Sequence, residues 1–196
     1  MIAQLDSPHL SPQEYLVWEA EQLTRYGYID GQVYAMTGGT IPHNQVAVNL
    51  VALIQPHLRG KGCKTLSSDA KVGVTEQGPF HYPDVSVTCD GRDRKKRDYI
   101  RYPCLIVEVL SSTTEAFDRG KKFKHYRRIE TLREYVLIDP ESFSVECYRL
   151  NENNRWELFH YTCELESSED CQVELTSINL KFPIRLLYED IEFEEA

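Results

Sequence analysis

The chain has 196 residues, 41% hydrophobic and 27% charged, with a formal net charge of −9. That length and composition fit one domain over 1–196, with a core at about 11–190, and nothing in the chain reads as an internal repeat or low-complexity linker. Met1 to Leu10 is too short and polar for a signal peptide, and no apolar run approaches the roughly 18 residues that cross a bilayer, so a soluble cytoplasmic protein without a membrane partner is expected.

The acidity is unevenly placed. Residues 141–196 hold 14 Asp/Glu against 4 Lys/Arg, whereas 91–133 hold 13 basic residues against 6 acidic ones. A basic patch for an anionic partner is therefore compatible with the acidic total. Cys63, Cys89, Cys104, Cys147, Cys163 and Cys171 form no C-x-x-C pair and no zinc-finger spacing, and are expected to be ordinary reduced thiols.

Ser11-Pro12-Gln13-Glu14 is a capping box with proline at the first helical position, which predicts a helix from about Pro12 to Thr24. Asp30-Gly31, between Tyr26–Ile29 and Gln32–Met36, predicts a hairpin with a type I′ turn. After Gly38-Gly39, the apolar residues Val46, Leu50, Leu53, Ile54 and Leu58 recur at three and four positions and predict a long helix over Pro42 to Leu58, bent near Pro56. Strands are expected at about 63–67, 70–75 and 82–88, followed by a polar loop from Asp90 to Asp98. Cys104 to Leu110 is almost wholly apolar, the pattern of a strand covered on both faces. Ser111 or Thr113 is the expected cap of a helix carrying Asp118, Lys122 and Tyr126, and Glu134 to Asp139 returns as a second buried strand. Residues 104–139 thus read as a crossover unit with parallel strands. Strands at Ser144–Leu150 and Trp156–Thr162 follow, joined by Asn151-Glu152-Asn153-Asn154, and a shorter strand near 172–178 precedes an acidic tail.

Two carboxylates interrupt this apolar pattern. Asp84 follows Tyr82-Pro83 and Glu108 sits within Leu105 to Leu110. An acid in an apolar strand is costly to bury unless something pairs with it or binds to it. On adjacent strands the two would form an all-oxygen pocket suited to Mg²⁺ or Mn²⁺. Lys122 shares a helix face with Asp118 and Tyr126 and could bring an ammonium to a phosphate there. His43, at the start of a helix, and Asp69, in a turn, are possible rim residues, as are Asp118 and Tyr126. Taken singly, each has an ordinary structural alternative: a turn carboxylate for Asp84, an arginine partner for Glu108 and an exposed ion pair for Lys122.

The set Asp84, Glu108 and Lys122 resembles the PD-(D/E)XK nuclease superfamily. More closely, the chain is similar to the Uma-type family of bacterial endonucleases. The matching segments are Tyr28-Ile29-Asp30-Gly31 with Met36, Gly38 and Gly39; His43 through Asn49-Leu50; Tyr82-Pro83-Asp84-Val85; Val107-Glu108-Val109-Leu110-Ser111; Asp118-Arg119-Gly120 with Lys122-Phe123; and Glu134-Tyr135-Val136-Leu137. The resemblance implies an α/β (α+β) restriction-endonuclease-like core, a mixed central sheet flanked by helices, with an N-terminal helix and hairpin and extra C-terminal strands. It implies a metal-dependent DNA endonuclease in which Asp84 and Glu108 hold the metal and Lys122 assists; the backbone carbonyl of Val109, next to Glu108, is a further expected metal donor. Two positions depart from the family pattern: Leu110 stands where the superfamily's lysine usually lies, and Gly27 where relatives commonly have Glu.

The basic loop residues Arg92, Arg94, Lys95, Lys96 and Arg97 are expected to contact DNA phosphates. A homodimer is the expected assembly, because cutting both strands of a duplex is simplest with two sites. Two alternatives compete: a catalytically impaired relative that binds nucleic acid or protein, and an interaction module that uses the acidic C-terminal third.

Overall fold

The computed structural model describes residues 9–36, 38–164 and 170–193. The capping box forms as expected: Glu14 N donates to Ser11 Oγ and Ser11 N donates back to Glu14 Oε2, opening helix α1 at Pro12–Ala20. The helix ends four residues short of the expected Thr24. Strands β1 (Tyr26–Ile29) and β2 (Gln32–Ala35) make the hairpin, with φ 47° at Asp30 and 89° at Gly31, the two left-handed residues of a type I′ turn. Helix α2 (Ile41–Leu58) buries Val46, Leu50, Ile54 and Leu58 of the predicted stripe, leaves Leu53 partly buried, and runs through Pro56 in its last turn.

The next stretch corrects the sequence expectation. Strands β3 (Lys64–Ser67), β4 (Val72–Gly73) and β6 (Val85–Thr88) fall within the three expected segments but are shorter, and a strand that was not expected, β5 (Phe80–His81), precedes the last of them. Pro83 has no N–H to give to a ladder, so β5 stops before it and β6 starts after Asp84 in a different sheet. Cys63 and Cys89 lie just beyond the Lys64↔Thr88 pair and are joined as a disulfide. The expectation of six thiols is corrected for these two, since the antiparallel register sets them face to face. Cys104, Cys147, Cys163 and Cys171 are free.

Strands β7 (Leu105–Val109), β8 (Glu134–Asp139), β9 (Ser144–Leu150) and β10 (Trp156–Thr162) complete a six-stranded sheet in the order β10-β9-β8-β7-β6-β3. The β7–β8 pair is parallel and every other pair antiparallel, so the expected crossover is present in a mixed sheet. A smaller antiparallel sheet runs β2-β1-β5-β4. Strands β11 (Gln172–Leu175) and β12 (Leu180–Pro183) form a separate hairpin, and a 3₁₀ turn, Ile184–Tyr188, follows. Strand β11 falls within the strand expected near 172–178, whereas β12 and the turn lie where only an acidic tail was expected, and Ile184 and Leu187 are fully buried against α2 and the sheet.

The sheet separates two apolar layers. Leu105, Val107 and Val109 of β7 pack toward α2, while Ile106 and Leu110 pack with Tyr126, Ile129 and Leu132 on the other side. Strand alternation therefore sends Glu108 to the second face, toward the helical stretch 115–126. That stretch is an α turn (Glu115–Phe117), a π-helical segment (Asp118–Lys122) and a second α turn (Phe123–Tyr126). Thr114 precedes it without a side-chain cap, while the Ser111 hydroxyl bonds those of Thr113 and Thr114.

Glu134 ties the C-terminal elements to the sheet. Fully buried at the start of β8, it accepts from Arg149 Nε at 2.8 Å, Ser177 N at 3.0 Å and Ser177 Oγ at 2.8 Å. Removing the cation would leave a buried carboxylate without its counter-charge. Arg149→Met is expected to lower unfolding free energy by about 3–5 kcal/mol, measured by urea titration; a loss no larger than that of a surface substitution would show that the Ser177 donors suffice alone.

Candidate metal and active site

Asp84 occupies the joint between the two sheets. Its Oδ2 accepts from Val109 N at 2.7 Å, which fixes the carboxylate against the end of β7. The Val85↔Val107 register explains the contact: residues just before β6 lie beside residues just after 107. His43, in the first turn of α2, faces the same oxygen, with Nε2 at 3.5 Å from Asp84 Oδ2.

Glu108 is 2% exposed and both its oxygens are engaged. Oε2 lies 2.8 Å from Lys122 Nζ, and Oε1 accepts from Tyr126 OH at 3.1 Å. Lys122 Nζ is also 2.9 Å from Asp118 Oδ1, an ion contact whose angle falls short of a hydrogen bond and leaves that buried oxygen otherwise unpartnered. Tyr135 OH donates to the Asp118 carbonyl at 3.0 Å, pinning the π-helical segment to β8. Such segments often mark functional positions in helices. Here it holds Asp118 and Lys122 on the face that meets Glu108, while Lys121 and Lys124 are exposed.

The charges are unequal: three carboxyl groups, Asp84, Glu108 and Asp118, act on one ammonium. Burial pushes Glu108 up to about 8, opposed by Lys122 and reinforced by Asp118 and Asp84. Burial works against the Lys122 ammonium, but Glu108, Asp118 and Asp84 outweigh it and hold lysine above its usual range. For His43, burial pulls the imidazole down, while Asp84 and the Val109 carbonyl raise it further than burial lowers it.

Two cavities flank this cluster. An open cleft is lined by Thr40, His43, Gln45, Ser68, Asp69 and Asp84, and a narrower cavity by Gly27, His81, Tyr82, Phe117 and Lys122; Met36 borders both. Asp84 and Lys122 thus face different spaces on either side of Met36. Asp69 is on the rim of the open cleft, 85% exposed at its side chain and 3.8 Å from Arg25 Nε. A groove lined by Lys64, Lys96 and Arg97 adjoins that cleft at Asp69.

The basic loop lies farther from Asp84 than sequence proximity implied. It leaves the end of β6 opposite Asp84, a four-residue strand away, about 13 Å. Asp93 anchors it from within, accepting from Thr88 Oγ1, Arg101 N and Tyr102 N. Arg92 is held by Asp90 and Glu130 and stacks 3.5 Å from the Tyr102 ring centre, whereas Arg94, Lys95, Lys96 and Arg97 are exposed.

Sequence reasoning did not single out the buried ion pair behind the Asp84 joint. Glu19 of α1 lies 2.9 Å from Lys71 Nζ and accepts from Tyr82 OH at 2.6 Å, two residues before Asp84. The usable signal was Glu19 four residues after buried Tyr15, on one helix face. His81 and His125, 2.9 Å apart beside Lys122, were also missed, since isolated histidines carry no pattern.

Among the described residues, no three His, Cys, Asp or Glu side chains are grouped closely enough to hold a metal ion as they stand. The donor chemistry nevertheless suits a divalent cation: two carboxylates and a strand-end carbonyl are hard oxygen donors, and surplus negative charge surrounds one ammonium.

A mixed central sheet flanked by helices, with this acidic cluster at a strand joint, defines an α+β nuclease-like fold. The chain belongs to the Uma2 family, described as "Putative restriction endonuclease", which matches residues 12–183. Similar proteins include the Synechocystis sp. protein slr1290, 42% identical over 186 residues covering 95% of each chain, and sll1609 of the same organism, 31% identical over 166 residues covering 81% of this chain and 93% of that one. The fold is similar to that of an Anabaena variabilis protein described as a putative nuclease belonging to DUF820, with a TM-score of 0.73, 17% identity, and coverage of 92% of this chain and 98% of that one. Among the described residues no helix is long and apolar enough to cross a membrane.

The Glu108 shift fixes a sign for stability. Between 4.5 and about 8 the native carboxyl keeps a proton that the unfolded chain has lost, so native protein binds more protons and stability falls as pH rises through that window. In chelator-treated protein, Glu108→Gln is expected to flatten the decline of the urea midpoint between pH 5 and 8. Identical slopes in parent and variant would show that Glu108 ionises normally.

Proposed function

We propose that the chain is a divalent-metal-dependent endonuclease that hydrolyses DNA phosphodiester bonds. Asp84, Glu108 and the Val109 carbonyl would hold Mg²⁺ or Mn²⁺. The observation that carries this reading is the buried Lys122 ammonium set between Glu108 and Asp118, with Asp84 tied to the same strand end.

A bound divalent ion supplies Lewis-acid activation of water and phosphate. The chain's own residues supply orientation and charge. The Val109 N–H fixes the Asp84 carboxylate, and the Tyr126 hydroxyl fixes Glu108. Lys122 places a positive charge beside Glu108, where charge on the equatorial phosphate oxygens would build. Leu110 lies on the same strand face as Glu108 and is buried, so a lysine at that position would enter the space that Lys122 reaches from the helix. The helix-borne ammonium therefore substitutes for the superfamily's strand-borne one.

Lys64, Lys96 and Arg97 border the groove that continues from the Asp84 cleft. This is the proposed phosphate track, with a two-fold homodimer as the assembly that would present two sites to a duplex. A second reading, a catalytically impaired nucleic-acid-binding relative, is favoured by Gly27, which lines the Lys122 cavity without an acid.

Cleavage of duplex and single-stranded DNA in Mg²⁺ or Mn²⁺ separates the two readings. Asp84→Asn is expected to abolish metal-dependent cleavage and Lys122→Met to slow turnover by about 10², both without loss of the folded state by circular dichroism. Parental protein with no activity in either metal would favour the second reading.

Changing Lys95, Lys96 and Arg97 together to Ser is expected to weaken DNA binding and flatten the dependence of log affinity on log salt. Fluorescence anisotropy across a salt series reads the slope. An unchanged slope would assign the loop to solvent.

A further inference from the structure

His43 is not accounted for by capping or core packing. Its backbone N–H is satisfied by Thr40 Oγ1, yet its imidazole turns away from the helix toward Asp84. The 3.5 Å between Nε2 and Asp84 Oδ2 is longer than the roughly 2.7–2.9 Å of a charge-assisted hydrogen bond. Two donors bound to one ion at about 2.1 Å each lie about 3.0 Å apart in octahedral geometry and about 3.4 Å apart in tetrahedral geometry. The observed spacing is near that of two ligands sharing an ion. Both side chains line the same open cleft, and the Val109 carbonyl interacts with the same imidazole.

We propose that His43 is a nitrogen ligand of the metal, joining the Asp84 carboxylate and the Val109 carbonyl on the cleft side of the site. This rests on the reading of Asp84 and Val109 as metal ligands and adds a donor that the reading does not contain. The consequence is selectivity. Carboxylate and carbonyl oxygens suit Mg²⁺, whereas an imidazole favours transition metals, so the site should prefer Mn²⁺ to Mg²⁺. The imidazole also offers a donor independent of Glu108, whose oxygens are occupied by Lys122 and Tyr126.

The test is pulsed electron paramagnetic resonance of the full chain loaded with Mn²⁺, with no substrate and no turnover. Parent protein is expected to show coupling of one histidine nitrogen to the bound ion, which shifts on ¹⁵N-histidine labelling and disappears in His43→Gln. Titration should show a larger fold-loss of Mn²⁺ affinity than of Mg²⁺ affinity in that variant. Mn²⁺ bound with no nitrogen coupling, or with coupling that survives His43→Gln, overturns the ligand assignment and leaves the oxygen site standing. No Mn²⁺ bound by the parent, or binding undiminished by Asp84→Asn, overturns the metal-site reading and this assignment together. The parental spectrum keeps the test decisive if His43→Gln misfolds, since the absence of histidine nitrogen coupling in the parent overturns the assignment without the variant.

Discussion

The contact on which the site depends is the ammonium of Lys122 buried against Glu108 and Asp118. Stripping water from ions of this size costs several kcal/mol each, and a buried pair offsets that cost only with close geometry and further hydrogen bonds. Here those bonds come from Tyr126 to Glu108 and from Tyr135 to the Asp118 backbone. Two tyrosines with fully buried rings thus position a polar cluster inside an apolar layer. A hydrophobic triplet of similar volume would pack there more simply, so stability alone gives little reason for the arrangement.

The topology makes the contact possible. A parallel β7–β8 pair requires a crossover, and the crossover lays residues 115–126 over the face of β7 that carries Glu108. The chain entering β6 must then cross from the small sheet to the large one beside the end of β7. Pro83 makes that break, Asp84 satisfies the buried Val109 N–H, and the Glu19–Lys71–Tyr82 cluster holds the approach. The acid at the joint consequently has a structural function as well as a proposed chemical one. Both arise from the same geometry, since an oxygen that caps a strand end is held where a substrate can reach it from the cleft.

Much of this was legible in the sequence because the signals are local. The capping box, the Asp30-Gly31 turn, the α2 stripe and the unbroken apolar run of β7 each follow from backbone chemistry within a few residues. The convergence of Asp84 with Glu108 was inferred from adjacent strands and a resemblance; the structure places Glu108 within β7 and Asp84 in the joint just before the neighbouring β6. What was not legible depends on distant pairing. Strand β5 at Phe80–His81 needs β1 and β4 as partners. The Cys63–Cys89 pair needs the β3–β6 register. Glu19 meets Lys71 across 52 positions, and β12 with its following turn is defined by burial against α2, which no local pattern announces. The π-helical segment escaped because Asp118 and Lys122 share a face at four-residue spacing in an α-helix as well.

Gly27 shows how far packing constrains the site. Its backbone is not in the left-handed region that demands glycine, and an added Cβ would sit 3.4 Å from the Phe80 carbonyl and 4.0 Å from that of Tyr34, ordinary contact distances. A side chain therefore fits at this position, and glycine is not forced by sterics. Its effect is to leave open space beside Lys122, in a cavity otherwise lined by His81, Tyr82 and Phe117. An acid there would add negative charge to a cluster already rich in it and would compete with Glu108 and Asp118 for the ammonium. Without it, Lys122 is shared by fewer partners, and its charge is less fully spent on the protein's own carboxylates. Under the proposed nuclease reading, glycine at 27 would leave the helix-borne ammonium available to a phosphate; under the impaired reading, the same glycine marks a missing acid, so the position bears on both.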